Sequence, residues 1–400
     1  MYLKTNPRIF LIFVTLMSSI SLFATDIYLP ALPNMAVYFH CSQSEIQASF
    51  TVFLLGLAVS QLVAGMISDH VGRKRVLILG FSLLIGSSFA CAYSTTLSNF
   101  ILFRFLQAVG SGVGSTISRA LVVDRYDQQE SAKTFAHIFP VVSFSGAIAP
   151  VIGGYFTYLF GWPSLFVFVA LVGCVILFLV FVLLEDDKGI KKVDSSPRLS
   201  ILQKHRVILS DPMFVGYVLI ICAAICVFRI YNVESPFIFS KENFLSQQIG
   251  TFYLAIASTY ILGNFMAGYL MRKISMNAVL KIGFTLFIFG GILMVIFSHL
   301  ANTNPLSIIV PMSIVTLGNG FLYPVASAGA MTAVSRDYAG TASGLLGASG
   351  FITSALCVNW VGEICHGEAN LLSLFVSIIT LLGFASYTFL VSPSRRIRQT

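Results

Sequence analysis

The sequence predicts an all-α integral membrane protein with twelve spanning helices in two six-helix halves. Three observations predict it. The 400-residue chain is 56% hydrophobic and only 10% charged, whereas a soluble domain carries about 25% charged residues, so lipid must be the solvent for most of its surface. Apolar stretches of the roughly 20 residues that a bilayer crossing requires recur twelve times along the chain. Lys and Arg gather in alternate connections between those stretches. A soluble two-domain enzyme fits none of the three.

In chain order the expected spans are 8–32, 45–67, 76–95, 98–121, 133–157, 163–184, 212–234, 247–270, 278–298, 306–330, 340–362 and 370–391. The first begins like a signal peptide, with Lys4 and Arg8 ahead of an apolar run from Ile9 to Ala24. That run is longer than a typical signal core and passes into "TDIYLPALP" without a small-residue cleavage site, so it reads as an uncleaved span. Between spans 6 and 7 lies the only long hydrophilic stretch, "EDDKGIKKVDSSPRLSILQKHR" (185–206). The expected organisation is an N-terminal bundle over 1–184, a cytoplasmic connector over 185–211 and a C-terminal bundle over 212–400.

With a cytoplasmic N-terminus, the inside loops hold Lys4 and Arg8, the Arg73–Lys74–Arg75 triplet, Arg125 and Lys133. They also hold six cations of the connector, Arg272, Lys273, Lys281, Arg336, Arg395, Arg396 and Arg398. Outside, the clear loop cation is Lys241. Positive residues mark the cytoplasmic side, so both termini and the connector are expected inside a bacterial cytoplasmic membrane. The net charge of +8 is then a topology signal, and no nucleic-acid partner is needed to explain it. Seven cysteines (41, 91, 174, 222, 226, 357 and 365) lie mostly in apolar runs without metal-type spacing, as small buried hydrophobes do.

The halves resemble each other. "QLVAGMISDHVGRKRVLILG" (61–80) aligns with "NFMAGYLMRKISMNAVLKIG" (264–283) at an offset of 203, matching Ala64 to Ala267, Gly65 to Gly268 and Gly80 to Gly283. Parallel six-span repeats put a substrate path near mid-membrane, between the halves.

In the first copy, Gly65 and Gly72 are expected to permit a tight turn between spans 2 and 3, anchored by its cations at the headgroups. Asp69 has no anchoring role; it can cap a helix N-terminus, pair with a basic partner, or sit in a plain solvated turn.

"GMISDHVGRKRV" (65–76), with Gly65, Asp69, Gly72, Arg73 and Arg75, resembles the signature loop of the major facilitator superfamily, G-x-x-x-D-x-x-G-R-[KR]. "RFLQAVGSGVG" (104–114) resembles that family's fourth-helix motif. "GAIAPVIGG" (146–154) resembles its antiporter motif, with Ala149 where a glycine is usual before Pro150. "DIYLPALP" (26–33), "SRALVVD" (118–124), "ESPFIF" (234–239) and "AGTASGLLG" (339–347) narrow the resemblance to Bcr/CflA-like twelve-span drug:proton antiporters. It covers nearly the whole chain and implies a major-facilitator-type fold and transport by alternating access.

Asp26 stands out on physical grounds, some seventeen residues into the first apolar stretch, where an acid is costly and usually functional. Apolar burial favours a protonated carboxyl and a nearby cation an ionised one, so a site offering each in turn can carry protons. The alternative is a helix-end acid reaching periplasmic water. Arg104, inside span 4, must face the bundle interior or a wet cavity, as a coupling partner of Asp26 or as a structural Arg bonded to carbonyls. The resemblance assigns Asp26 and Arg104 to proton coupling.

Gln107 shares the face of Arg104 one turn on. Tyr28, Gln107, Tyr231, Asn232 and Glu234 are candidate substrate contacts; the last three, with Arg229, form either an outer gate or the water boundary of span 7. Arg119 and Asp124 close span 4 on the cytoplasmic side, touching Asp69 or forming a solvated pair. Gly146, Pro150, Gly153 and Gly154 make a small-residue stripe with a kink, which permits close helix approach. Gly340, Gly344, Gly347 and Gly350 in span 11 look like its counterpart.

The leading expectation is a secondary transporter that exports a lipophilic or amphipathic small molecule against protons, acting as a monomer and without a cofactor. A proton entering down the potential gains roughly 2.3 kcal/mol per 100 mV, enough for more than tenfold accumulation. The alternative is proton-coupled export or uptake of a dedicated metabolite such as a siderophore, amino acid or nutrient. No phosphate loop of the GKS/T type occurs and no catalytic polar cluster is evident, so neither ATP-driven pumping nor an enzyme is expected.

Overall fold

The computed structural model describes residues 6–185, 201–300, 304–334 and 339–393; 186–200 of the expected connector lie outside them. Among the described residues the regular structure is helical. Twelve helices are long and apolar enough to cross a membrane, from Pro7–Tyr38 to Ala369–Val391. Large apolar side chains stand exposed along them, Phe265 at 71% and Phe178 at 65% for example, as lipid-facing residues must.

The first compact unit comprises Met1–Asp194 together with Phe244–Thr251. Its helices are α1 (Pro7–Asp26), α2 (Leu32–Tyr38), α3 (Gln43–Val71), α4 (Arg73–Ala92), α5 (Leu97–Arg125), α6 (Gln128–Phe160) and α7 (Pro163–Leu183). Side-chain caps start several of them: Asn6 on α1, the Ser42–Glu45 capping box on α3, Thr96 on α5 and Asp127 on α6. Each supplies an acceptor to N–H groups that the first turn leaves unbonded. α5 is the hub, packed on α1, α3 and α4.

The expected first span is broken in the middle. α1 stops at Asp26, a 3-10 turn covers Leu29–Ala31, and α2 resumes at Leu32. Pro30 and Pro33 each remove a backbone donor and disfavour helix in the residue before them. The tight turn between α3 and α4 also differs from expectation. Gly65 lies within α3, and the reversal falls on Gly72 alone, at φ 102° and ψ 145°, a backbone that L side chains rarely adopt.

The second unit comprises Ser195–Asn243 and Phe252–Thr400. It contains α8 (Ile201–Leu209), α9 (Pro212–Lys241), most of α10 (Ser246–Leu270), α11 (Met276–Leu300), α12 (Leu306–Ala333), α13 (Ala339–Cys365) and α14 (Ala369–Ser386), whose end passes into a π-helical turn over Tyr387–Val391. Here α9 is the hub, packed on α12, α13 and α14. α9 continues about two turns beyond the expected end of span 7, carrying Pro236 within it.

The repeat read from the sequence reappears as one contact in each unit. A Cβ on Gly110 of α5 would lie 2.6 Å from the carbonyl oxygen of Gly80 on α4. A Cβ on Gly318 of α12 would lie 2.8 Å from that of Gly283 on α11. The aligned glycines 80 and 283 therefore both mark backbone-to-backbone packing, as membrane helices use in place of a hydrophobic drive.

Candidate functional site

Asp26 ends α1 where the helix breaks, yet it is only 3% exposed. It is a helix-end acid but not one that reaches water. Opposite it, α6 presents Gly146: a Cβ there would stand 3.4 Å from Asp26 Oδ2 and 2.8 Å from Leu22. The glycine leaves the room that the carboxylate fills. One and two turns further along α6, Pro150 and Gly153 follow. A Cβ on Gly153 would overlap the carbonyl oxygen of Ile27, so α6 and the broken end of α1 touch through backbone.

Arg104, fully buried on α5, reaches the same break. Its Nη1 donates to the carbonyl oxygen of Ala24 at 3.3 Å, two residues before Asp26, and to Gln107 Oε1 at 2.5 Å. Gln107 Nε2 in turn donates to Ser88 Oγ at 2.7 Å. The guanidinium carbon lies over two rings, 4.1 Å from the centroid of Tyr28 and 4.0 Å from that of Phe53, with Phe166 at 5.7 Å. Tyr28 is itself pinned through its hydroxyl to Ser49 at 3.2 Å. A buried cation survives when ring faces and carbonyl oxygens replace its water. Tyr28 and Gln107, expected as substrate contacts, are both fully buried and both contact Arg104. No motif or spacing singles out Phe53, Phe166 or Ser88 as neighbours of Arg104.

A guanidinium is planar and can lie against aromatic rings as an ammonium cannot. Arg104→Lys is therefore expected to lower the thermal midpoint of the purified protein by the equivalent of about 1–2 kcal/mol. A midpoint equal to wild type would show that the Tyr28 and Phe53 contacts contribute nothing.

The polar cluster of α9 is buried. Arg229, Tyr231, Asn232 and Glu234 are all under 9% exposed and lie inside the helix. Tyr253 of α10, which no motif singles out, donates to the carbonyl oxygen of Asn232 at 2.6 Å and lies 3.2 Å from Ser235 Oγ. Glu234 Oε2 accepts from the N–H of Gly367 at 3.3 Å, while Lys241 Nζ donates to the carbonyls of His366 (2.6 Å) and Gly367 (3.2 Å). His366 and Gly367 both have positive φ. One acid and one base of α9 thus fasten the tight turn between α13 and α14, a structural use of Glu234.

In the first unit, Arg73 opens α4 and bonds Asp124 of α5, Nε to Oδ2 at 3.2 Å, and also Ser68 Oγ. Asp124 pairs with the first arginine of the turn, rather than with Arg119, whose Nε bonds the carbonyl oxygen of Ser115 in its own helix. Arg75 is exposed. Asp69 lies on the last turn of α3, and its side chain is outside the described residues. Of the small-residue stripe, Gly154 faces the carbonyl of Ser246, and a Cβ on Gly250 would lie 2.6 Å from the carbonyl oxygen of Pro150; both belong to the first unit. In span 11, Gly344 faces open space, and a Cβ on Gly350 would meet Ile225.

A buried acid and a buried arginine thus meet at a broken helix of a chain with twelve helices long and apolar enough to cross a membrane. Residues 14–358 match the family model for the Major Facilitator Superfamily, and the chain belongs to that superfamily. It is 30% identical over 385 residues to a Rickettsia felis protein described as an uncharacterized transporter, covering 93% of this chain and 90% of that one. It is 27% identical to the multidrug resistance protein MdtL of Shewanella oneidensis, over 90% and 89% of the two chains. It is 25% identical to a bicyclomycin resistance protein homolog of Haemophilus influenzae, over 99% of each. Among solved structures, a bacterial homolog of the human lysosomal transporter Spinster has the same fold, with a TM-score of 0.76 at 15% identity over 98% of both chains. The chain is a multi-pass integral membrane transporter.

Proposed function

We propose that this transporter exports lipophilic or amphipathic small molecules, drugs among them, in exchange for protons, and that Asp26 carries the proton. The observation that supports the reading most is the burial of Asp26 at the break of α1, with Gly146 on one side and the Arg104 guanidinium reaching Ala24 on the other. The break frees the carboxyl from a continuous helix, and the arginine supplies a charge that can favour or release the carboxylate as the distance between them changes. The names of the relatives from Shewanella and Haemophilus support drugs as the cargo class.

The cycle runs by alternating access. A protonated Asp26 or a bound substrate permits reorientation, and the ionised, empty site resists it. Everted membrane vesicles test the exchange. Candidate compounds are expected to accumulate on energisation and to leak out on addition of an uncoupler. Accumulation indifferent to the uncoupler contradicts proton coupling.

In the same reading the chain lies in a bacterial inner membrane with both termini inside, as the loop cations require, so Cys41, between α2 and α3, faces the periplasm. Partial burial and the nearby Glu45 carboxylate push the Cys41 thiol above its ordinary pKa. Because the thiolate is the reactive form, an impermeant maleimide added to intact cells should label Cys41 slowly at pH 7. Labelling should quicken by nearly tenfold per pH unit until that raised pKa is approached. Labelling seen only after the cells are opened reverses the orientation.

A further inference from the structure

A cavity of about 790 Å³ opens at one end of the second unit, between α11 and the π-helical end of α14. None of the residues discussed for transport borders it. Its two walls share one gradient. Along α11 the successive side chains are Lys281, Thr285 and Ile288, with Ile292 a further turn on and 50% exposed. Down α14 they are Ser392, Thr388 and Phe384, followed by Leu381 at 53% exposed. Both walls thus pass from polar to apolar in the same direction, from the helix ends into the span.

The polar end carries positive potential from two sources. Lys281 is exposed, and its ammonium has no ion-pair partner among the described residues. α11 also begins here, with Ser275 Oγ accepting from the N–H of Ala278, so the positive end of a 25-residue helix dipole points the same way. In the sequence repeat, Met276 and Asn277 replace Arg73 and Lys74 of the first unit. Lys281 is then the cation among the residues that line the cavity. The floor is aromatic: Phe284 lies 5.5 Å from Phe384 and 5.4 Å from Tyr387, ring centre to ring centre. The Tyr387 hydroxyl is fixed on Asn277 Oδ1. π-helical turns recur at functional sites, and this one sets Tyr387 and Thr388 at the cavity mouth.

We propose that this cavity holds one anionic phospholipid, its phosphate on Lys281 and the flanking hydroxyls and one acyl chain against Phe384, Ile288 and the exposed residues beyond. Lys281 sits in the second turn of α11, roughly 8 Å along the helix axis, the depth at which a lysine reaches back to the headgroups. A soluble anion would satisfy the polar end alone and leave the apolar half of the groove unexplained. By the loop-charge reading this end is cytoplasmic, the leaflet where basic pockets between spans take acidic lipids.

Native mass spectrometry of the purified full-length protein in detergent tests this with dioleoyl phosphatidylglycerol, dioleoyl phosphatidylcholine and glycerol phosphate. One phosphatidylglycerol is expected to persist at collision energies that strip phosphatidylcholine. Lys281→Gln and Asn277→Asp, the latter keeping an acceptor for Tyr387 while adding a negative charge, should each reduce that first adduct at least fivefold. Lys281→Arg should keep it, as should Lys273→Gln, which removes a cation held on Tyr269 at the same membrane face. Equal retention of the two lipids, an unchanged adduct in Lys281→Gln, or equal loss in Lys273→Gln overturns the proposal. Displacement of the lipid by millimolar glycerol phosphate overturns it in favour of a soluble anion.

Discussion

Asp26→Asn is expected to abolish gradient-driven accumulation in membrane vesicles while leaving substrate exchange at equal concentrations intact. The asparagine amide keeps the volume facing Gly146 and the hydrogen-bonding capacity of the protonated acid, but it cannot release a proton. If a neutral substrate exchanges for one proton, the coupling supplies roughly 2.3 kcal/mol per 100 mV, so accumulation should fall by roughly fiftyfold at that potential. Exchange survives because a permanently neutral site still permits reorientation with substrate bound. Loss of both activities together, with the protein still folded, would assign Asp26 to substrate binding instead.

The second large effect concerns stability. Gly153→Ala places a methyl on the carbonyl oxygen of Ile27, and backbone on both sides leaves nothing flexible to yield. A forced shift of α6 against α1 is expected to lower stability by about 1–3 kcal/mol, seen as a lower thermal midpoint and reduced yield of folded protein. The same change at Gly344 meets no atom within 4 Å and should move stability by no more than about 0.5 kcal/mol. Equal effects at the two positions would show that the α1–α6 seam is looser than described. The contrast bears on function, because the seam that admits no methyl group is the one facing Asp26.

Composition made the twelve spans legible, since few residues other than those of a membrane helix run apolar for so long. The candidate acid was legible for the same reason: Asp26 interrupts such a run, and its burial agrees with the expected cost of exposing it to lipid. The break beside it was hidden because Pro30 and Pro33 sit among Leu, Ala and Tyr, so hydropathy continues through a backbone that does not. Pro236 misled in the opposite sense. It stands two residues past the expected end of span 7, yet α9 runs on to Lys241, because membrane helices tolerate a proline when neighbours satisfy the freed carbonyl. Glu234 therefore lies inside the helix, on Gly367. The rings around Arg104 were illegible, because nothing in linear spacing distinguishes Phe53 and Phe166 from the other phenylalanines, 36 in all. Only the fold brings α3, α5 and α7 together there.

The turn that resembles the family signature was partly legible. Its cations and Gly72 stand where the spacing placed them, but the ion pair went to Asp124, because α4 and α5 pack side by side and bring Arg73 onto the last turn of α5.

The most direct measurement is proton release on substrate addition to purified protein in lightly buffered detergent solution. Wild type and Glu234→Gln should acidify the medium by the same amount near neutral pH, and Asp26→Asn should not acidify it at all. Release that persists in Asp26→Asn, or vanishes in Glu234→Gln, would contradict the assignment of the exchanged proton to the carboxyl at the break of α1.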